Sequence, residues 1–300
     1  RDPEMSRGLG DVYKRQILNV IPNNLLQPFL AGNVLSVMLI AAAMGLGLAF
    51  MPKTENREAL LKAVLGFQEL LFTLIKALLF VLPLGILAFA GQLSAQIEAG
   101  VIVGALGKYT LVIMASNCVQ FFIVLPIFLL ARGLNPIDVF KKMSPAIAVA
   151  LFTKSSAGTL PVTMASAEQN LKVNKAVSRF VLPICTTINM NGCAAFILIT
   201  SIFVMQNAGF ELSMSTMLTW LLVSVLAAVG NAGVPMGCYF LTLSLMSGIG
   251  APIGIMGIIL PIYTIIDMVE TAENVWSDSC VCAMTDHDLK GLSLIHISEP

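Results

Sequence analysis

Charge is scarce in this chain. Asp, Glu, Lys and Arg make up 11% of its 300 residues, hydrophobic residues make up 57%, and mean hydropathy is +0.88. Soluble domains carry about a quarter charged residues, so this composition excludes a soluble enzyme or binding module and fits a membrane protein. Formal net charge is zero, which leaves no basic footprint for a nucleic-acid partner. There are 2 histidines, both close to the C-terminus, and the 6 cysteines (Cys118, Cys185, Cys193, Cys238, Cys280, Cys282) form no CxxC pair. That pattern argues against a zinc site or a disulfide framework and makes the cysteines small packing residues, with Cys193 the exception.

Where charge does occur it is concentrated. Residues 260–285 are otherwise as apolar as a membrane span, yet they hold Asp267, Glu270, Glu273 and Asp278. At about 100° per helical residue, Asp267, Glu270, Thr271, Asn274 and Asp278 share one face roughly 100° wide. Only Glu273 falls off it, and it reads as a structural or cavity-edge residue. A carboxylate at bilayer depth costs about 2.5–3.5 kcal/mol on insertion scales. Four of them so close together imply a species bound inside the membrane, the mark of a substrate or ion pathway.

Apolar stretches of about 20 residues can cross a bilayer. Five are present, at 28–51, 64–91, 101–131, 176–205 and 254–283. Two further apolar regions, 143–168 and 216–250, are interrupted by KSSAGTLP and GNAGVPMG. Their arms have only about 10–16 residues, too short to cross, which predicts re-entrant hairpins turning at Gly158 and Pro161, and at Gly230, Gly233 and Pro235. Lys53, Arg57, Lys62, Arg132, Lys141, Lys142, Lys172, Lys175 and Arg179 lie in three loops that this topology puts on one side, while Lys108 alone lies opposite. Basic loops face the cytoplasm, so the hairpins enter from opposite faces.

The fold class that follows is an all-α membrane protein, a multi-span helical bundle with two re-entrant hairpins in an inverted repeat. Each hairpin is followed by a helix with a polar interruption: 186–192 (TTINMNG) in the first unit, Asp267 to Asp278 in the second. This plan brings irregular backbone from both units together near the midplane, where it lines a cavity. The ends differ in character. Residues 1–16 and 291–300 bear no relation to the helices beside them and read as a non-native leader and tail. Residues 17–100 read as scaffold-type helices and 101–290 as a transport domain.

Four motifs carry a resemblance. KSSAGTLPVT (154–163), TINMNG (187–192), GNAGVP (230–235) and IDMVETAENVWSD (266–278) resemble, in order and spacing, the dicarboxylate/amino acid:cation symporters, the glutamate-transporter family. The resemblance covers essentially all of 17–290. It implies eight spans and two gating hairpins, a homotrimer of scaffold and elevator-like transport domains, no enzymatic activity and no cofactor. The first three spans would precede this chain.

Carried over residue by residue, the resemblance implies that Asp267 holds the substrate's α-ammonium and Asn274 its α-carboxylate. Ser155 and Ser156 at the first tip and Val234 at the second would offer backbone groups, with Thr271 on the same face. Asp278 resembles the carboxylate of a sodium site completed near Cys185, Asn189 and Asn274, and Thr187, Met190 and the second tip would frame another. Oxygen ligands with one nearby charge suit Na⁺, a hard cation.

Three departures bear on the substrate. Glu270 stands where acidic-substrate members carry an arginine, and a like charge repels what a guanidinium clasps; a protonated Glu270 would instead donate a hydrogen bond. Cys193 replaces a threonine that assists the same carboxylate. Asn191 replaces an aspartate of a further cation site.

The reading is a secondary active symporter of the bacterial inner membrane, surrounded by lipid. It moves a small neutral or cationic amino acid with Na⁺ or H⁺ by alternating access. An acidic amino acid or C4-dicarboxylate symporter and a channel or sensor on the same scaffold are the alternatives. An intramembrane aspartyl protease would need facing aspartates on separate helices, whereas Asp267 and Asp278 share one. Lys154 reads as a partner that neutralises the nearby carboxylates.

Overall fold

The computed structural model describes residues 24–30, 34–98, 103–231 and 233–297, and every regular element among them is helical. The chain divides into two units, meeting between Leu93 and Ser94. The first holds α1 (Val34–Phe50) and most of α2 (Glu55–Glu98). Glu55 and Glu58 in the first turn of α2 complement its positive end. The predicted span 64–91 lies wholly within α2, whereas 28–51 falls partly outside the described residues.

The second unit begins with α3 (Val103–Val119), which passes through a π turn (Gln120–Val124) into α4 (Leu125–Ala131). Two helical hairpins follow, each leading to a long apolar helix. The first is α5 (Pro136–Thr153) and α6 (Ser156–Gln169), ahead of α7 (Lys175–Ile188) and α8 (Asn191–Asn207). The second is α9 (Met214–Val229) and α10 (Gly237–Gly248), ahead of α11 (Gly254–Ile297). Among the described residues, Gly104–Ala131, Lys175–Asn207 and Gly254–Lys290 are long and apolar enough to cross a membrane.

The first hairpin turns at Lys154 and Ser155 rather than at Gly158 and Pro161, which lie inside α6 because Ser155 caps that helix at once. Two boundaries also differ from the sequence pattern. The first hairpin arm starts at Pro136 rather than 143, because Asn135 Oδ1 accepts from Ile137 N (3.0 Å) and Asp138 N (3.4 Å) while Pro136 supplies the first helical residue. Lys141 and Lys142 are therefore helical, and at 18 residues the arm is about 27 Å long. The last helix continues past 283 to Ile297, taking in backbone that the pattern reads as a tail.

The core of this unit gathers α4, α5, α6 and α7 around one side of α11. Leu129, Met143, Ala146, Ala150, Leu182, Trp276 and Cys280 are fully buried there. Trp276 Nε1 donates to Phe121 O (3.1 Å). Phe121 lies in the π turn, where the shifted bonding pattern leaves a carbonyl to spare. Trp276 points away from the Asp267 face by about half a turn, so packing this indole orients the acidic face of α11 toward the hairpin tips.

Candidate functional site

The two hairpin tips touch. Ser155 caps α6, its Oγ accepting from Gly158 N (2.9 Å) and donating to Gly233 O (2.9 Å), and Ala157 N donates to the same carbonyl (3.3 Å). Gly233 has φ +67°, and a Cβ on it would lie 3.0 Å from both Ala157 N and Thr186 O. Only glycine combines that left-handed backbone with so close an approach. Each tip also holds a larger residue in the left-handed region, Lys154 (φ 52°) and Met236 (φ 62°), a costly conformation that clusters at ligand clamps and switches.

Beneath the tips lies the acidic face of α11. Asp267 Oδ2 accepts from Met236 N (3.3 Å), tying the second tip to the helix. Tyr263 Oη lies 3.3 Å from Asp267 Oδ1 and 3.2 Å from Glu270 Oε2. A phenol has one hydrogen, so both contacts together call for a second, from a carboxylic acid or a cationic group. Glu270 Oε1 is buried with no partner. Thr271 Oγ1 returns to Asp267 O (2.7 Å). A cavity of about 10 Å³, room for one water, is lined by Lys154, Ser156, Val234, Asp267, Glu270, Thr271 and Asn274. Lys154 shares this cavity, but among the described residues no ion pair joins it to Asp267.

A second polar cluster forms where the chain breaks between α7 and α8. Asn189 Nδ2 donates to Ser277 Oγ (2.9 Å) and Asp278 Oδ1 (2.9 Å), and Asn191 Nδ2 donates to Ser277 Oγ (2.7 Å). Gly192 N donates to Asn274 Oδ1 (2.9 Å). Cys185 and Met190 are buried beside this break, and Cys185 O accepts from Asn189 N (2.8 Å). Thr187 does not join the cluster: its side chain is exposed and bonds Ile184 O (2.8 Å), while the neighbouring Thr186 carbonyl is the group against Gly233.

Cys193 needs a correction. It is bonded to Cys238, with Cα atoms 5.5 Å apart, so it is not a free thiol facing a substrate. The bridge fastens the start of α8 to the start of α10. The other four cysteines are free. Residues that the sequence reading misses include Tyr263, Met236, Ser277 and Asn117. Tyr263 sits four residues before Asp267, one helical turn below it on the same face, and that spacing is the signal.

With this geometry in hand, comparison with known proteins is decisive. The profile described as the sodium:dicarboxylate symporter family matches residues 8–288. The chain belongs to that family. The match takes in residues 8–16, inside the segment whose pattern reads as a leader. The chain is 30% identical over 262 residues to excitatory amino acid transporter 1 of Ambystoma tigrinum, covering 87% of this chain and 48% of that protein. Against the Homo sapiens protein of the same name identity is 31% over 252 residues, 83% of this chain and 46% of the relative. Against neutral amino acid transporter A of Bos taurus it is 30% over 257 residues, 85% and 48%. This symporter-family chain spans about half the length of the curated relatives it matches. It is an integral membrane protein of a transporter family, not an enzyme.

Proposed function

We propose that this chain carries the substrate and cation sites of an amino acid symporter, with the substrate held between the two hairpin tips and α11. One observation carries the reading: both tips converge on the buried face of Asp267, Glu270, Thr271 and Asn274, and one of them is bonded to Asp267 itself. Asp267 receives the α-ammonium. Asn274, whose carbonyl oxygen is taken by Gly192 N, offers its amide hydrogens to the α-carboxylate. Ser155, Ser156 and Val234 supply the surrounding backbone.

The cavity admits a water but no amino acid, so loading requires the second tip to lift from Ser155 and Asp267. Na⁺ is the coupling ion in this reading, held by Asp278 with oxygens near Cys185, Asn189 and Asn274. Cation and substrate each stabilise the closed tip, which couples their fluxes. The hairpins are re-entrant from opposite membrane faces, the assembly is a lipid-embedded homotrimer, and the compartment is a bacterial inner membrane.

The substrate class follows from Glu270. A carboxylate there repels an acidic side chain and tolerates a small neutral one. The unpartnered Glu270 Oε1 favours a second reading, a cationic amino acid whose side chain would meet it. The test is uptake by the full-length protein in proteoliposomes, with an inward Na⁺ gradient against choline. Labelled serine uptake should depend on Na⁺ and be inhibited by neutral or cationic amino acids. Preference for aspartate would overturn the substrate class, and gradient-independent current would favour a channel.

A further inference from the structure

Behind the acidic face, Glu273 is unaccounted for. It is 1% exposed, and both its carboxyl oxygens are buried with no hydrogen-bond partner. An ionised carboxylate left so is far costlier than a neutral polar group. Among the described residues no lysine, arginine or histidine pairs with it. The start of α8 lies alongside and its positive end favours an anion, yet Gly192 N–H is taken by Asn274 and no other N–H of that turn reaches Glu273.

A second orphan faces the same spot. Asn117 on α3 is 1% exposed, and its Oδ1 is buried without a partner. Its amide hydrogens are aimed the other way, Nδ2 donating to Ile113 O (2.8 Å). Rotating the amide would set two oxygens against each other at that distance, so Oδ1 stays turned away from Ile113 O. Measured from the point a Cβ would occupy on Gly192, Glu273 Oε2 is 3.0 Å away and Asn117 Oδ1 is 3.1 Å away. The same point is 2.9 Å from Glu270 Cα, so any side chain at 192 would fill the space where these oxygens converge. Glu273 also lines a groove of about 460 Å³ with Ser116, Gln120 and Asn191 among apolar neighbours such as Leu111 and Val112, and its buried carboxyl oxygens lie beneath that groove.

We propose that Glu273 and Asn117, converging beside Gly192, bind a monovalent cation, with Asn191 and the groove as its access. Every orphaned atom in the cluster is an acceptor, so the missing partner is a cation or a hydrogen donor. Oxygen ligands are those of a hard cation. One carboxylate with neutral oxygens balances a single positive charge, and no group of three or more acidic, histidine or cysteine side chains that could hold a multivalent metal occurs among the described residues. This site is separate from Asp278, which lies on another face of α11 and is bonded to Asn189. It does not depend on which amino acid is carried.

The test is equilibrium ²²Na⁺ binding and thermal unfolding of the full-length protein in detergent, in NaCl and in choline chloride, with no amino acid present. The wild type should bind one more Na⁺ per chain than Glu273→Gln. Asp278→Asn should keep a Na⁺-dependent rise in unfolding temperature that is smaller in the Asp278→Asn, Glu273→Gln double variant. In choline, Glu273→Gln should unfold at or above the wild-type temperature, because it removes an unpartnered buried carboxylate. Asn117→Ala keeps the charge and loses one oxygen, and its Na⁺ affinity should fall about tenfold, the low end for losing a group that supports a metal site. Unchanged Na⁺ binding by Glu273→Gln would overturn the proposal. So would a Glu273-dependent stability that is equal in Na⁺ and choline, which would mark a bound proton. Failure of amino acid transport with this Na⁺ binding intact would count against the symporter reading alone.

Discussion

The two hairpins have one plan and different tips. The first reverses direction through Lys154 and Ser155 alone, with Ser155 capping the next helix at once. The second turns between Gly230 and Met236, with Gly233 and Met236 both left-handed and no side-chain cap on α10. A short capped turn is a rigid support. A long turn held by a few bonds to Ser155, Ala157 and Asp267 can let go. Under the proposed symporter function, this asymmetry makes the first tip the anchor and the second the moving gate.

The largest effect should come from Asp267→Asn, which removes the charge facing the substrate's ammonium and weakens the bond to Met236 N. Losing one partner of a buried charged contact costs about 2–5 kcal/mol, so Na⁺-driven uptake should fall at least about 30-fold. Retained uptake would move the substrate elsewhere. Next is a matched pair of glycines. Gly233→Ala incurs about 1–2 kcal/mol for a left-handed alanine and collides with backbone atoms, so uptake should drop roughly tenfold. Gly158→Ala meets only the Ser155 side chain, at 3.2 Å, and should stay near wild type. Equal effects would erase the distinction between the tips.

Ser155→Ala removes both a cap and the bond to Gly233 O. The cap is worth about 1 kcal/mol of stability, and the cross-tip bond about 0.5–1.5 kcal/mol. Apparent KM should rise about 2- to 10-fold with a smaller change in maximal rate. The Cys193–Cys238 bridge restrains the arm behind the moving tip, so a reductant, or Cys238→Ser, should raise initial uptake; no change would mean that α10 stays in place during loading. The smallest effect is at the base of the anchor. The Ser178 hydroxyl (2.8 Å), then Arg179 (3.2 Å), hold the Glu168 carboxyl below its ordinary range. A lowered folded-state value adds stability above the unfolded carboxylate range and loses it as pH falls through the folded value. Unfolding scans of Glu168→Gln should therefore differ slightly from wild type at neutral pH and converge with it on acidification.

The acidic face is legible in sequence because carboxylates in an apolar run are too costly to keep unless something binds them. The second hairpin turn is legible because glycine and proline interrupt its apolar run, whereas the first turns at Lys154 and Ser155, ahead of the Gly158 and Pro161 that mark it in sequence; the family resemblance rests on those same segments. Other features leave no linear trace. The Cys193–Cys238 pairing spans 45 residues, and only the fold brings the two together. Tyr263 in an apolar helix looks like packing until Asp267 and Glu270 are seen on either side of its hydroxyl. Glu273 falls off the polar face of a helical projection, yet the space beside Gly192 lies behind that face. The early start of α5 is readable from Asn135 and Pro136, but basic residues that look like a loop in sequence obscure it.

The central claim is that cation and amino acid close the second tip onto the first above Asp267. Spin labels on cysteines at Phe152 and Val229, both at exposed positions next to the tips, would measure this by pulsed dipolar spectroscopy in full-length protein with its native cysteines replaced. In choline the distance distribution should be broad and long, and Na⁺ with serine should make it narrow and short. One unchanging distribution under both conditions would contradict the account.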